Sequence, residues 1–291
     1  MKTSTHNNRQ PEQPEIAVEV ATNHKSPAER LPNAADAEEL CIAVSASVEN
    51  GSRQSRSFLQ KYGYAGSFKT IDEIYPSVFS SHAALKSQGE FCQAQGIPNA
   101  VSNRSAYFTE LVSERLKANQ QCIEVLYVAS GSYRNIAEFF ESHPTAKVKF
   151  TCVDVDERAI DHAKTVCGQW LDRITFIISH ALNIELGSKF DLVWSSGRFD
   201  YFDDRGFVAM LLTRLISLAK PESARVVICN FINPESSATR QEIGDWFLNY
   251  RTPEQVVELA LACSEAASSM EVNCKEENVD FLLRVSVGQP R

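Results

Sequence analysis

From Gln121 onward, five short apolar runs alternate with segments of helical period, and this alternation limits the fold more than any other feature of the chain. The runs cover residues 123–128, 148–153, 174–178, 190–195 and 225–231, with helical segments predicted at 135–141, 157–171 and 204–219. The runs are nearly continuous in Val, Ile, Leu and Phe, the pattern of strands covered on both faces, and βαβ connections make such strands parallel. After a further predicted helix at 253–267 come "MEVNC" and "VDFLLRVSV", separated only by Lys275, Glu276, Glu277 and Asn278. Four residues suit an antiparallel hairpin and are too few for a crossover helix. The expected fold is therefore α/β: a seven-stranded sheet, parallel except for a C-terminal antiparallel hairpin, flanked by helices.

The region before the sheet reads differently. Residues 1–34 are polar and broken by Pro11, Pro14, Pro27 and Pro32, so they bury too little apolar area to offset ordering and are expected to form a disordered tail. Residues 35–119 are expected to be helical and to act as a lid, a substrate region or a dimerisation surface, with 120–291 as the sheet domain. In "NRSAYFTELVSERLKAN", Tyr107, Phe108, Leu111, Val112 and Leu116 recur at three- and four-residue steps, a stripe of ordinary core packing.

Composition narrows the function. The net charge of −8 argues against nucleic acid or an anionic membrane as a partner. No window approaches ~18 uninterrupted apolar residues, and the N-terminus lacks the apolar stretch of a signal peptide, so a cytoplasmic location is expected. The eight cysteines are scattered, without a Cys-x-x-Cys pair or a His at ligand spacing. They read as small buried hydrophobes, with no zinc site and no disulfide framework expected.

The candidate site lies where strands end in small residues. "VLYVASGSYRN" passes from a strand through Ala129, Ser130, Gly131 and Ser132 directly into a helix. Gly131 lets the backbone approach a ligand closely, and the helix N-terminal amides favour a carboxylate. The second run ends at Asp154, followed by Val155 and Asp156 in "CVDVDERAI". A carboxylate there can accept hydrogen bonds from both ribose hydroxyls. It can equally cap the following helix, a role expected rather of Asp156.

A parallel sheet finished by an antiparallel hairpin resembles the class I S-adenosylmethionine-dependent methyltransferases, a Rossmann-like fold. The resemblance implies S-adenosyl-L-methionine as cofactor and a small-molecule methyl acceptor as partner. It also implies a place for the adenine edge at the third strand's end, here His180, Ala181 and Leu182, with Asn183 free to cap a turn. Ser195, Ser196 and Gly197 would stand near the methyl-bearing end. Three further stretches are similar to the family that makes methyl esters of 3-hydroxy fatty acids as bacterial quorum-sensing signals, the extracellular factor 3-hydroxypalmitic acid methyl ester biosynthesis proteins. They are "YGYAGSFKTIDEIY", "GRFDYF" and "CNFINPESSATRQEIGDWFLNYRT", the last supplying Asn230, Phe231, Glu242, Asp245, Trp246, Tyr250, Arg251 and Thr252. Tyr62 and Ser67 stand where that family has Arg and Asp, and Arg198 where it has Leu. These departures fall on loops expected to face the substrate.

Methyl transfer from a sulfonium is an in-line displacement, so alignment of the two partners does most of the work. A carboxylate acceptor, with a pKa near ~4, is already ionised and needs no base. Arg198 or Arg251 would then hold the anion, and Tyr62, Tyr64, Tyr201 and Tyr250 are candidates to line or close the acceptor site. A hydroxyl or amine acceptor needs a base, for which Asp200 and His180 are the candidates. Arg251 can instead form a structural ion pair with Glu242, and His162 reads as a solvated helix residue. Two other readings stand beside methyl transfer: a non-catalytic binding or regulatory protein that keeps the fold, suggested by the single glycine of the loop, and a nicotinamide-dependent reductase, which the hairpin disfavours.

Overall fold

The computed structural model describes residues 67–73, 75, 97–119, 121–129, 131–232, 248–263, 267–274 and 280–288. Seven strands form one sheet: β1 (Ile123–Val128), β2 (Val148–Asp154), β3 (Ile174–Ile178), β4 (Leu192–Ser195), β5 (Arg225–Phe231), β6 (Ala267–Cys274) and β7 (Asp280–Val287). Their order across the sheet is β3-β2-β1-β4-β5-β7-β6. The first five are parallel, and β7 inserts antiparallel between β5 and β6. The seven-stranded Rossmann-like fold expected from the alternation and the terminal hairpin is the fold observed.

Among the described residues the helices are α1 (Phe68–Glu73), α2 (Ile97–Ala118), α3 (Arg134–Ser142), α4 (Glu157–Val166), α5 (Arg205–Ser217) and α6 (Pro253–Cys263). Two boundaries differ from the sequence reading for local reasons. The segment expected as one helix over 157–171 stops at Val166 and continues as a 3-10 turn, Gly168–Arg173, with the poor helix former Gly168 at the change. The fourth strand begins at Leu192 rather than 190, because the Asp191 carboxylate accepts from the Glu124 amide at 2.8 Å and pairs with Lys220 at 2.8 Å.

Each face of the sheet carries its own core. Leu126, Val193, Val226, Ile228 and Leu283 pack towards α5 and α6 on one side. On the other, Val125, Tyr127, Trp194 and Leu282 meet α2 and α3. The α2 stripe is core, as expected: Tyr107, Phe108, Leu111 and Val112 are buried, and the Phe108 ring stands edge-on to Tyr127 and Trp194 at 5.3 and 5.2 Å. Burying each such aromatic contributes about 1.5–3 kcal/mol. This helix packs on the sheet through that stripe, and its Val101, Arg104 and Ser105 reach the cavity described below. Cys152, Cys167 and Cys229 are buried thiols, whereas Cys122 is exposed and Cys274 half-buried.

Candidate functional site

Strand order reverses at β1, whose neighbours are β2 and β4. Connections leave the two sides in opposite directions there, opening a crevice beyond the strands' carboxyl ends. A cavity of about 560 Å³ occupies this place. Its floor is the loop after β1 with Gly131 and Ser132, one wall is Asp154 and Val155, and the opposite wall is Ser196, Gly197, Arg198, Asp200 and Tyr201. Phe68, Ile71 and Tyr75 roof it, and Val101, Arg104 and Phe231 close its far end.

The floor explains the abrupt handover from strand to helix. Ala129, Gly131 and Tyr133 all have positive φ, at 48°, 74° and 56°. Left-handed backbone therefore recurs at three positions of this short loop. Left-handed geometry costs a non-glycine residue about 1–2 kcal/mol. Two of the three positions bear that cost, and the loop is held in place by the Ala129 amide on the Val153 carbonyl at 2.8 Å and by the fully buried Tyr133 ring. A Cβ at Gly131 would meet Ile71 only at 3.6 Å, so backbone conformation rather than lack of room calls for glycine there.

Asp154 stands at the lip of β2. Its Oδ1 accepts from the Asp156 amide at 3.0 Å, and its Oδ2 lies 3.5 Å from the Tyr133 hydroxyl. Burial raises its pKa above the usual carboxylate value, against the opposing pull of the Asp156 amide and the Arg198 charge. Asp156 is the cap of α4, accepting from the Arg158 amide at 3.0 Å, as the sequence suggested.

The opposite wall is organised by two half-buried arginines, Arg104 and Arg198. Arg104, on α2, directs Nε to Asp280 at 2.7 Å, donates Nη1 to the Ser196 carbonyl, and stacks on the Phe231 ring at 4.3 Å. Its Nη2 lies 3.9 Å from Asp200 Oδ2. Asp200 is buried, and its Oδ1 accepts from the Phe231 amide at 2.6 Å. Burial pushes its pKa up to about 6 although Arg104 and that amide pull the other way. Sequence reasoning passed over Arg104, yet a signal was present: it falls in step with Val101, Phe108 and Leu111, a charge set into an apolar stripe. Arg198 stacks on Phe202 at 4.8 Å and faces the cavity.

The roof is pinned by one carboxylate. Asp72 of α1 takes a bidentate contact from Arg134 at 2.6 and 3.0 Å, and His162 Nε2 lies 3.1 Å from its Oδ2. Burial alone would raise this carboxyl; the His162 and Arg134 hydrogen bonds overrule it and hold it at about 2. Ser67, where the resemblance expects Asp, caps α1 by accepting from the Thr70 amide at 3.3 Å.

Several expected site residues lie elsewhere. His180, Ala181 and Leu182 do not line the cavity: the His180 Nδ1 accepts from the Leu182 amide at 3.3 Å and caps a 3-10 turn, Ala181–Asn183. Ser195 is buried in β4, one residue short of the cavity. Arg251 is buried and structural, donating to the Phe199 and Phe202 carbonyls and to Asn230 Oδ1, and it braces the strand-four loop from behind rather than touching the cavity. Tyr250 is likewise outside the lining. His162 is mostly buried against Asp72 and Phe68, not solvated. Ala129, Gly131, Ser132, Asp154, Val155, Ser196, Gly197, Arg198, Asp200 and Tyr201 do come together around the cavity. Ser130, Tyr62, Tyr64, Glu242 and Trp246 lie outside the described residues.

No group of three or more His, Cys, Asp or Glu side chains among the described residues has the arrangement to hold a metal ion. No helix among them is long and apolar enough to cross a membrane.

Residues 125–222, from β1 through the turn before β5, match the family described as a methyltransferase domain. No curated protein matches the chain. Among solved structures, a possible exported protein from Bordetella parapertussis is 14% identical with a TM-score of 0.65, covering 86% of this chain and 99% of its own. The magnesium protoporphyrin IX methyltransferase from Synechocystis PCC 6803, solved with S-adenosylhomocysteine, is 12% identical with a TM-score of 0.54, covering 77% of this chain and 100% of its own. An O-methyltransferase family protein from Burkholderia thailandensis is 16% identical with a TM-score of 0.50, covering 75% of this chain and 64% of its own. At these identities the likeness is one of fold.

Proposed function

We propose, from the premise that this chain carries a class I methyltransferase domain whose cofactor is S-adenosyl-L-methionine, that the cavity at the β1 switch point binds that cofactor and transfers its methyl group to a small-molecule acceptor. The residues present fit the cofactor. The volume, about 560 Å³, falls within the range usual for small-molecule sites. Gly131 keeps the floor open to a flat or anionic group, and Asp154 offers ribose hydroxyls a partly desolvated carboxylate. The observation that carries the reading is this pairing, Gly131 and Asp154 on adjacent strand ends of one cavity.

When bound, the cofactor supplies an electrophilic methyl group on a sulfonium. The chain's own part is alignment, and its second wall is built for an acceptor. Arg198, held flat on Phe202, offers a cation to an anionic group, and Tyr201, at the cavity edge, offers a hydroxyl to an oxygen. Asp200 is the carboxyl on this wall able to take a proton from a hydroxyl acceptor. The roof of Phe68, Ile71 and Tyr75 and the Phe231 ring provide apolar contact and exclude water. The acceptor we favour is a carboxylate or hydroxy-acyl compound of bacterial signal or secondary metabolism. The Asn230-Phe231 and Tyr-Arg-Thr stretches support that choice, as does a cation-bearing wall next to an apolar roof.

Calorimetry with S-adenosylmethionine, S-adenosylhomocysteine and NADH tests the premise and the pocket together. The first two should bind and NADH should not, and Asp154→Ala should weaken binding by ~1–3 kcal/mol. Absence of adenosyl-ligand binding would leave a non-catalytic protein of the same fold. Incubation with extract and labelled cofactor, read by mass spectrometry for a gain of one CH2, then identifies the acceptor.

A further inference from the structure

We propose that Tyr133 is a positioning residue for the nucleoside half of the cavity, holding the Asp154 carboxylate in the orientation that meets ribose hydroxyls. The inference rests on reading the cavity as an adenosyl-cofactor site. Three observations single out this side chain. Tyr133 has φ 56°, a conformation that a bulky residue adopts only under constraint, and it does so with no exposed surface. Its ring is fixed between Tyr127, with centroids 5.2 Å apart, and Phe176, edge-on at 6.3 Å. Its hydroxyl emerges from that apolar setting 3.3 Å from the Val153 carbonyl and 3.5 Å from Asp154 Oδ2.

Packing alone does not account for a hydroxyl here. A phenylalanine would fill the same space without burying a polar group that needs a partner. The hydroxyl instead completes the restraint on Asp154. The Asp156 amide holds Oδ1 at 3.0 Å, and the single Tyr133 hydroxyl proton is shared between the Val153 carbonyl at 3.3 Å and Oδ2 at 3.5 Å. With a partner at each oxygen, the carboxylate plane is restrained before any ligand arrives, on a side chain that lines the cavity. Tyr133 also starts α3 and ends the left-handed loop after β1, so one residue links the floor of the site to its ribose-facing wall. This gives a reason for keeping a residue with a large side chain at a strained backbone position.

The test is calorimetry on the full chain and on Tyr133→Phe, with S-adenosylhomocysteine and with its 2′,3′-dideoxy analogue, alongside thermal melting without ligand. The variant should bind S-adenosylhomocysteine roughly three- to tenfold more weakly, while its affinity for the dideoxy analogue stays that of the wild type. In an Asp154→Asn background the same change should have no further effect on S-adenosylhomocysteine. An equal loss for both ligands would assign Tyr133 to packing and overturn the proposal, as would unchanged binding of S-adenosylhomocysteine. Comparing two ligands on one variant cancels any general fold defect, which the melting curve reports separately. Failure of the wild type to bind S-adenosylhomocysteine would instead overturn the cofactor reading itself.

Discussion

Replacing Asp72 by Asn tests whether one ionised carboxylate closes the roof of the site. In the wild type its two oxygens join α1 to Arg134 on α3 and to His162 on α4, with the side chain 6% exposed. The folded-state pKa of about 2, against 3.8 for the free carboxyl, corresponds to about 2 kcal/mol of stability in the ionised form. Because the folded pKa is depressed, that contribution is complete above pH 4 and fades as pH falls through the folded value near 2. Asn keeps the shape but not the charge, so urea unfolding at pH 7 should show a loss of about 2 kcal/mol, equivalent to roughly 4–8 °C in melting temperature. At pH 3 the gap between variant and wild type should narrow to about half. Phe68 and Ile71 ride on the same helix, so stopped-flow measurement should also find S-adenosylhomocysteine leaving the variant faster. An equal stability gap at both pH values would show that the charge is not what pins α1.

Two further perturbations act on the acceptor wall. Arg104→Met removes the cation between Asp280 and Asp200 and leaves two buried carboxylates without it; a loss of about 3–5 kcal/mol in urea unfolding is expected, and a loss under 1 kcal/mol would refute its bracing role. Asp200 separates the two acceptor chemistries. Its pKa is raised to about 6, so it ionises as pH rises through that value; a carboxylate acceptor should be methylated at a rate flat from about pH 5 to 8, whereas a limb near pH 6 that Asp200→Asn abolishes would assign Asp200 as the base for a hydroxyl.

The fold was legible because its signals are local and redundant. Continuous apolar runs, helical intervals and a four-residue link each point to the same sheet, and the observed strands agree with them to within a few residues. What escaped notice depends on long-range contacts. Nothing near His162 in sequence announces Asp72, ninety residues earlier, so a histidine buried in an ion pair read as solvated. Arg104 lies between Asn103 and Ser105 and Arg251 between Tyr250 and Thr252, neighbours that do not tell the two apart. Only the fold shows that Arg251 faces carbonyls behind the strand-four loop while Arg104 faces the cavity. His180 likewise occupies the expected strand end, but its ring turns back to cap the following turn.

The loop after β1 shows why residue identity can mislead where backbone conformation does not. With one glycine among Ala129, Gly131 and Tyr133, the stretch reads as a degraded cofactor loop, and that reading favours a protein that has lost its ligand. The conformation weighs against it, since all three positions keep the positive φ that would suit glycine. Two non-glycine residues together carry about 2–4 kcal/mol of backbone strain that a relaxed loop would shed. Strain of that size persists only where neighbours enforce it. Here the enforcing contacts, the Ala129 amide on Val153 and the buried Tyr133 ring whose hydroxyl reaches Asp154, lie on the two strand ends that build the cavity. A chain freed from holding a ligand at this edge would have no use for a costly turn anchored beside the Asp154 carboxylate, and so the irregular loop counts in favour of a ligand site.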